Sequence, residues 1–308
     1  MVIRIIKKVK AMIGWIVYNG TLDIPKIKEL VFSIVDEAKK MNIKLEVVKN
    51  TEILPMYLND GSANLLYLKK LEKPSFVIFW DKDVFLARHL EKMGFKVFNS
   101  SKAIEYCDNK GLMHLVLSNN NIAMPKTILS PMIFNSNLLD EECLIKAYET
   151  LGDSVIIKES MGSFGMQVYL INNREEFIKK VNKLCENRIE FIIQENIKSS
   201  FGKDIRVNII GDKVIGAMLR RSNKDFRANI SQGGVGEIIT LTKEQEELAL
   251  KAHKTLELDF SGVDLLFGEN DKPILCEVNS NLNFLSFEKI WGESFSKKIL
   301  EYILSEVL

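Results

Sequence analysis

Three histidines in 308 residues is a thin supply, and His89, His114 and His253 stand far apart in the chain. They show no metal-ligand spacing, so a histidine-built metal centre is excluded and each reads as structural or exposed rather than catalytic. Cysteine is nearly as sparse: Cys107, Cys143, Cys185 and Cys276 form no C-x-x-C pair. That pattern offers neither a zinc site nor a disulfide framework, and it makes a reducing cytoplasm the expected compartment. The chain has no G-x-x-x-x-G-K-[ST] phosphate loop and no G-x-S-x-G nucleophile elbow. No run approaches the ~20 apolar residues of a membrane span. A net charge of +1 leaves no electrostatic footprint for nucleic acid or a membrane surface. An enzyme with this inventory would work through carboxylates, lysines and arginines, with or without a bound metal.

What is present is an ordinary globular composition, 46% hydrophobic and 27% charged, in a chain long enough for two or three domains. The opening MVIRIIKKVKAMIGWIVYNG sets basic before apolar residues, as signal peptides do. Its apolar run is too short and no cleavage site follows, so 14–18 reads as the first core strand. Met12 is an alternative start that would leave residues 1–11 as an arm.

Strand and helix signals alternate over the first hundred residues. GWIVY is followed by a helix over 25–41, IKLEVV, SFVIFW, a helix over 84–93 and FKVF. That alternation predicts a parallel α/β sheet. Residues 108–121 read as one helix. From about 124 strands and helices form an α+β unit: MPKTIL, a helix over 139–151, SVIIKE, a glycine-bearing turn, MQVYLI, a helix over 174–186 and EFIIQE. Beyond 203 come DIRVNII, KVIGAML, FSGVDLLF and PILCEV, with a helix over 243–256 and another at the C-terminus.

In PILCEVNSN (273–281), Glu277 and Asn279 interrupt an apolar strand and share one face by alternation. FSGVDLLFG and PILCEVN flank an Asn270-Asp271 turn, which predicts a hairpin with Asp264 opposite Glu277. Facing carboxylates repel, so something must compensate them. Two readings stand: a divalent cation held by Asp264, Glu277 and Asn279, or a solvated sheet face on which the acids are harmless.

Two more stretches concentrate chemistry. VIIKESMGSFGMQVYLI places Lys158 beside a Ser/Gly turn, which suits phosphate binding but equally suits an ordinary hairpin. MLRRSNKDFRANISQGG gathers Arg220, Arg221, Lys224 and Arg227, either a solvated basic face or arginines that stabilise phosphoryl charge.

In order and spacing, DNKG, IIKESMGSFGMQV, IIQENIKSSFGKDIRV, RRSNKDFRANISQGG, FSGVDLL and CEVNSN resemble the ATP-grasp superfamily, and within it the RimK-type glutamate ligases. The resemblance spans about 105–304. It implies an ATP-grasp fold, mixed α/β and α+β, preceded by a Rossmann-like parallel-sheet domain. The implied division is 1–104 for that first domain, 105–194 for a central subdomain with a phosphate lid, and 195–308 for a C-terminal subdomain with metal and catalytic residues.

By the same resemblance, Lys110 and Lys158 hold nucleotide phosphates, and Ser163 and Gly165 belong to the lid. Gln194, Glu195, Asn196 and Ile197 line the adenine, and Asp204 bonds the ribose hydroxyls. Arg206, Arg220, Arg227 and Asn229 fall at the reaction centre, and Asp264, Glu277 and Asn279 match the metal ligands. The implied activity is an ATP-dependent carboxylate–amine ligase. The γ-phosphate passes to a carboxylate, giving an acyl phosphate and ADP. An amine then attacks, forming an amide or peptide bond and releasing phosphate. ATP and Mg²⁺ (or Mn²⁺) are the implied cofactors. A carboxylate and an amine are the substrates, with an amino acid added to a peptide or protein, and a homo-oligomer is left open.

NSNLN lacks the proline and glycine common after the metal-binding strand in such ligases. Ser231 and Gln232 stand where a histidine and an arginine are usual, and Asn196 replaces a common tyrosine. ATP chemistry therefore carries over better than glutamate specificity. The alternatives are a ligase for another amine or for a precursor peptide, including side-chain crosslinking, and a nucleotide-binding regulator without turnover.

Overall fold

The computed structural model describes residues 12–134, 139–162, 166–230 and 233–308. They fall into two units, 1–101 with 293–308, and 102–292. In the first unit, β1 (Met12–Tyr18), α1 (Pro25–Lys40) and β2 (Ile43–Lys49) precede a hairpin of β3 (Ile53–Tyr57) and β4 (Ala63–Tyr67). Then come β5 (Phe76–Trp80), α2 (Val84–Lys92) and β6 (Val97–Phe98). The expected parallel sheet is present, with order β2-β1-β5-β6. Every residue of β5, and Trp15 to Tyr18 of β1, is buried, which explains why these strands read as unbroken apolar runs rather than alternating ones.

The helix expected over 108–121 is the shorter α4 (Lys110–Leu117), and an unexpected helix, α3 (Ser101–Asp108), comes directly before it. Asn109 divides them: its side chain accepts from the Leu112 backbone N–H at 3.0 Å, capping α4 and making Lys110 its first residue. A small sheet follows from β7 (Thr127–Leu129), α5 (Glu141–Leu151), β8 (Val155–Glu159), β9 (Val168–Ile171), α6 (Arg174–Glu186) and β10 (Phe191–Glu195). Its order is β7-β10-β8-β9, antiparallel throughout. Helices α5 and α6 share one core with it through Leu144, Tyr148, Phe177 and Val181.

A larger sheet holds β11 (Lys203–Ile210), β12 (Lys213–Arg221), β13 (Val235–Ile238), β14 (Phe260–Phe267) and β15 (Pro273–Asn279), with α7 (Lys243–Thr255) between β13 and β14 and α8 (Leu285–Trp291) after it. The order β13-β12-β11-β14-β15 puts β11 at the centre. Ile205, Val207, Ile209, Val263, Leu265 and Val278 form a core with Ala249 and Ala252 of α7. Alternation then assigns Asp204, Arg206, Gly262 and Asp264 to the opposite face. The last helix, α9 (Phe295–Val307), belongs with the first unit, whereas the sequence division carried the third block to 308.

One buried polar pair ties α7 to the sheet. His253 Nδ1 and Ser261 Oγ lie 2.8 Å apart, both side chains buried. Burial pushes the imidazole down to about 4, against a smaller upward pull from the Gly211 backbone. The folded state thus prefers neutral His253, while the unfolded chain takes up its proton near pH 6.5. The His253 contribution to stability should be constant above that pH and fall by about 3 kcal/mol as pH drops from 6.5 to 4. Urea unfolding across this window measures the slope, and a His253→Gln variant, which cannot take up the proton, should flatten it.

Candidate functional site

The chemistry on the polar face of the larger sheet begins with its register. Asp204 pairs with Arg220 across β11 and β12, Arg206 with Asp264 across β11 and β14, and Asp264 with Glu277 across β14 and β15. The predicted carboxylate pair is therefore real, but the turn alone does not create it. Near the turn the pairing is Leu265 with Leu275, one residue tighter, and a bulge then restores Asp264 opposite Glu277. Val263 and Leu265 are separated by one residue, whereas their partners Val278 and Leu275 are separated by two. Cys276 and Glu277 thus share the place opposite Asp264, with Cys276 as the extra residue.

Compensation for the facing carboxylates comes from guanidinium groups. Arg206 grips Asp264 in a two-pronged contact, Nε on Oδ1 and Nη2 on Oδ2, the latter at 2.8 Å. Arg220 donates to both oxygens of Asp204 at 2.6 and 2.8 Å, and its Nη2 also lies 2.9 Å from Asp264 Oδ1. Asp204, Arg220 and Asp264 are buried. Burial opposes the Asp264 charge, yet Arg206 and Arg220 hold its carboxyl below the ordinary range. Burial raises the Asp204 carboxyl, with Arg220 pulling the other way. Glu277 and Asn279 are half-buried beside this chain, and Asn279 Nδ2 donates to Glu277 Oε1 and to the Gly262 carbonyl, each at 3.3 Å.

The smaller sheet contributes a lysine to the same place. Lys158, 7% exposed at the end of β8, has its Nζ 3.7 Å from the Cys276 thiol. It makes no ion pair among the described residues. Burial pushes the Cys276 thiol up to about 11, opposed by Lys158 and reinforced by Glu277 and Asp264.

Lys110 is held against this strand end. Its backbone N–H donates to the Ser160 carbonyl at 3.0 Å, and its Nζ reaches the Gly162 carbonyl at 3.3 Å. One turn on, His114 Nδ1 donates to the Lys110 carbonyl at 2.8 Å while Nε2 accepts from the Gln194 amide at 3.0 Å. Burial lowers this imidazole, in keeping with a neutral, positioning role. The Gln194 amide also donates to Thr127 Oγ1 at 2.9 Å, so its side chain faces inward.

Glu195 Oε1 accepts from the Lys126 backbone N–H at 2.7 Å, and Asn196 Nδ2 donates to Ser154 Oγ at 3.0 Å. These two side chains are tied into the protein, leaving backbone from Glu195 to Ile197 as the connection between the sheets. Arg227 pairs with Asp225 at 2.7 Å, and Asn229 follows at half-burial. Ser163, Gly165, Ser231 and Gln232 lie outside the described residues. Sequence reasoning missed Cys276, because strict alternation turns it away from Glu277 and no residue type announces the bulge.

Residues 107–303 match the RimK-like ATP-grasp domain family. The chain belongs to the RimK-like ATP-grasp family. It is 33% identical over 217 residues to the "Probable alpha-L-glutamate ligase" of Legionella pneumophila, covering 70% of this chain and 69% of that one. It is 32% identical over 226 residues to N-acetylaspartylglutamate synthase A of Homo sapiens, covering 73% of this chain and 56% of that enzyme. Among solved structures it shares the fold of D-alanine–D-alanine ligase from Bacillus anthracis, with TM-score 0.71, 17% identity and coverage of 96% and 97%. This RimK-like chain is an ATP-grasp ligase that uses ATP to join a carboxylate to an amine.

The charge chain sets a stability expectation for the family fold here. Arg220→Met strands Asp204 in a buried position and should cost about 3–5 kcal/mol. Arg227→Met, at a partly exposed pair, should cost about 1 kcal/mol or less. Urea unfolding of both variants at neutral pH makes the comparison.

Proposed function

We propose that the RimK-like chain binds the ATP triphosphate between Lys110 and Lys158, and adds an amino acid to the end or a side chain of a peptide or protein. One observation carries this reading. Lys158 is a buried ammonium whose nearest described hydrogen-bond partner is a thiol. A buried charge without a counter-charge is costly, and a phosphate supplies the missing anion. Lys110, at the first position of α4, adds a second charge beside the same strand end.

The backbone of Glu195 to Ile197 suits an adenine, since the Glu195 and Asn196 side chains are already engaged. Asp204 is assigned to the ribose hydroxyls, although its oxygens already accept from Arg220. Arg206, Arg220, Arg227 and Asn229 would stabilise charge on the phosphoryl group passing to the carboxylate and on the resulting acyl phosphate. The lid around Ser163 and Gly165 is retained from the resemblance.

The donor set fits Mg²⁺ or Mn²⁺: two carboxylates and an amide oxygen from Asp264, Glu277 and Asn279 on neighbouring strands. Among the described residues no three His, Cys, Asp or Glu side chains form a metal cage, which suits a cation that keeps phosphate oxygens and water in its shell. Bound there, the cation would neutralise phosphate charge. We assign the cytoplasm on the four free cysteines. No described helix is long and apolar enough to cross a membrane.

Incubation with ATP, Mg²⁺ and pooled amino acids and peptides should release ADP and phosphate with a product one condensation heavier. AMP and pyrophosphate would overturn the acyl-phosphate reading. Lys158→Ala should weaken binding of a nonhydrolysable ATP analogue by about 10–100-fold, the worth of a charged hydrogen bond. Calorimetry reads the affinity and a thermal melt reports the fold, which should persist.

A further inference from the structure

Among the three proposed metal ligands, Asp264 has its oxygens already taken. Oδ1 accepts from Arg206 Nε and Arg220 Nη2, and Oδ2 accepts from Arg206 Nη2. The side chain is almost wholly buried, whereas Glu277 and Asn279 are half-buried and bonded only weakly to one another. A divalent cation approaching Asp264 alone would meet two guanidinium groups of its own sign.

The two arginines are held differently. Arg220 has its own carboxylate partner in Asp204, with two bonds, and touches Asp264 through one nitrogen. Among the described residues Arg206 has Asp264 as its one hydrogen-bond and ion-pair partner, and it is half-buried where Arg220 is buried. Its guanidinium lies across Gly262: a Cβ at that position would stand 2.9 Å from Arg206 Nη1 and 3.2 Å from Cδ. The absent side chain gives Arg206 its resting place.

We propose that Arg206 stands in for the metal at Asp264, closing the carboxylate until a polyphosphate draws the guanidinium away, so that the divalent cation is admitted together with the nucleotide. This rests on the assignment of Asp264 as a metal ligand made above. The exchange is balanced in charge. Arg206 trades a carboxylate for a phosphate, both of which suit its fork, while Asp264 trades a guanidinium for the cation. No buried charge stands uncompensated on either side of the exchange, which is the condition for a buried ion pair to open cheaply. By linkage, whatever loosens Arg206 must raise metal affinity in the nucleotide-free protein.

Water-proton relaxation enhancement, which reports Mn²⁺ bound to a slowly tumbling protein, tests this on the full chain. The wild type should bind Mn²⁺ weakly alone and tightly with a nonhydrolysable ATP analogue. Arg206→Gln should raise the nucleotide-free Mn²⁺ affinity by about tenfold or more, the usual size of such couplings. Gly262→Ala keeps every charge and displaces Arg206, so it should move the affinity the same way; it also stands as the check if Arg206→Gln fails to fold. Adding Glu277→Gln to Arg206→Gln should remove the gain, placing the metal at this carboxylate pair. Nucleotide-free Mn²⁺ affinity unchanged in both single variants, with tight binding intact when nucleotide is present, would overturn the stand-in alone. Absence of protein-bound Mn²⁺ in the wild type even with nucleotide would overturn the metal site itself, and the stand-in with it.

Discussion

Four charges in alternating sign, Asp204, Arg220, Asp264 and Arg206, span three strands and hold together the larger sheet's polar face. Two carboxylates and two guanidiniums out of water are tolerable only when each has a close partner, and here each does. That condition dictates much of the surrounding architecture. β11 must be central, since it supplies Asp204 to β12 and Arg206 to β14. Position 262 must be small, because Arg206 lies over it. The opposite face must be apolar, and it is, with Ile205, Val207 and Val263 against α7.

A lysine of the smaller sheet meets a thiol at the edge of this face, Lys158 against Cys276. Lys158 sits at the end of β8, and the backbone that continues from it, through Ser160 and Gly162, is also what Lys110 holds. Two lysines from separate elements therefore share one strand end, positioned by the Asn109 cap and the His114–Gln194 pair. None of the three buried histidines donates to a position where a substrate is assigned, since their ring nitrogens meet the Asn64 carbonyl, the Lys110 carbonyl with the Gln194 amide, and Ser261 Oγ.

Much of this was readable in the sequence. The parallel first sheet and the β14–β15 hairpin follow from alternation and one turn signal, whereas the Asp264–Glu277 pairing also depends on the bulge at Cys276. The compensation was legible only in part. Charge repulsion between Asp264 and Glu277 pointed to a missing positive group, and a metal was the obvious candidate. The resemblance places Arg206 and Arg220 at the reaction centre but does not pair them with Asp264, because pairing across β11 depends on a sheet order that local patterns do not encode. The Cys276 bulge, the β3–β4 hairpin, β13 and the break at Asn109 escaped for a related reason: short or irregular elements are decided by tertiary contacts rather than periodicity. Gln194 shows the converse, a polar residue assigned to a ligand whose amide is consumed inside the fold.

Helix α9 returns from the far end of the chain to the first unit. Ser296 Oγ lies 2.8 Å from Ser33 Oγ of α1, and the Tyr302 ring meets Phe98 edge-on at 6.4 Å. The first unit is thus discontinuous, interrupted by Lys102–Gly292. During synthesis at about 5–20 residues per second, the roughly 190 intervening residues take about 10–40 s to emerge. Through that interval the parallel sheet and α1 exist without their closing helix, while the inserted unit has its whole sequence in hand. Vectorial assembly therefore runs inward-out: the inserted unit is the first able to complete its core, and the amino-terminal unit is the last.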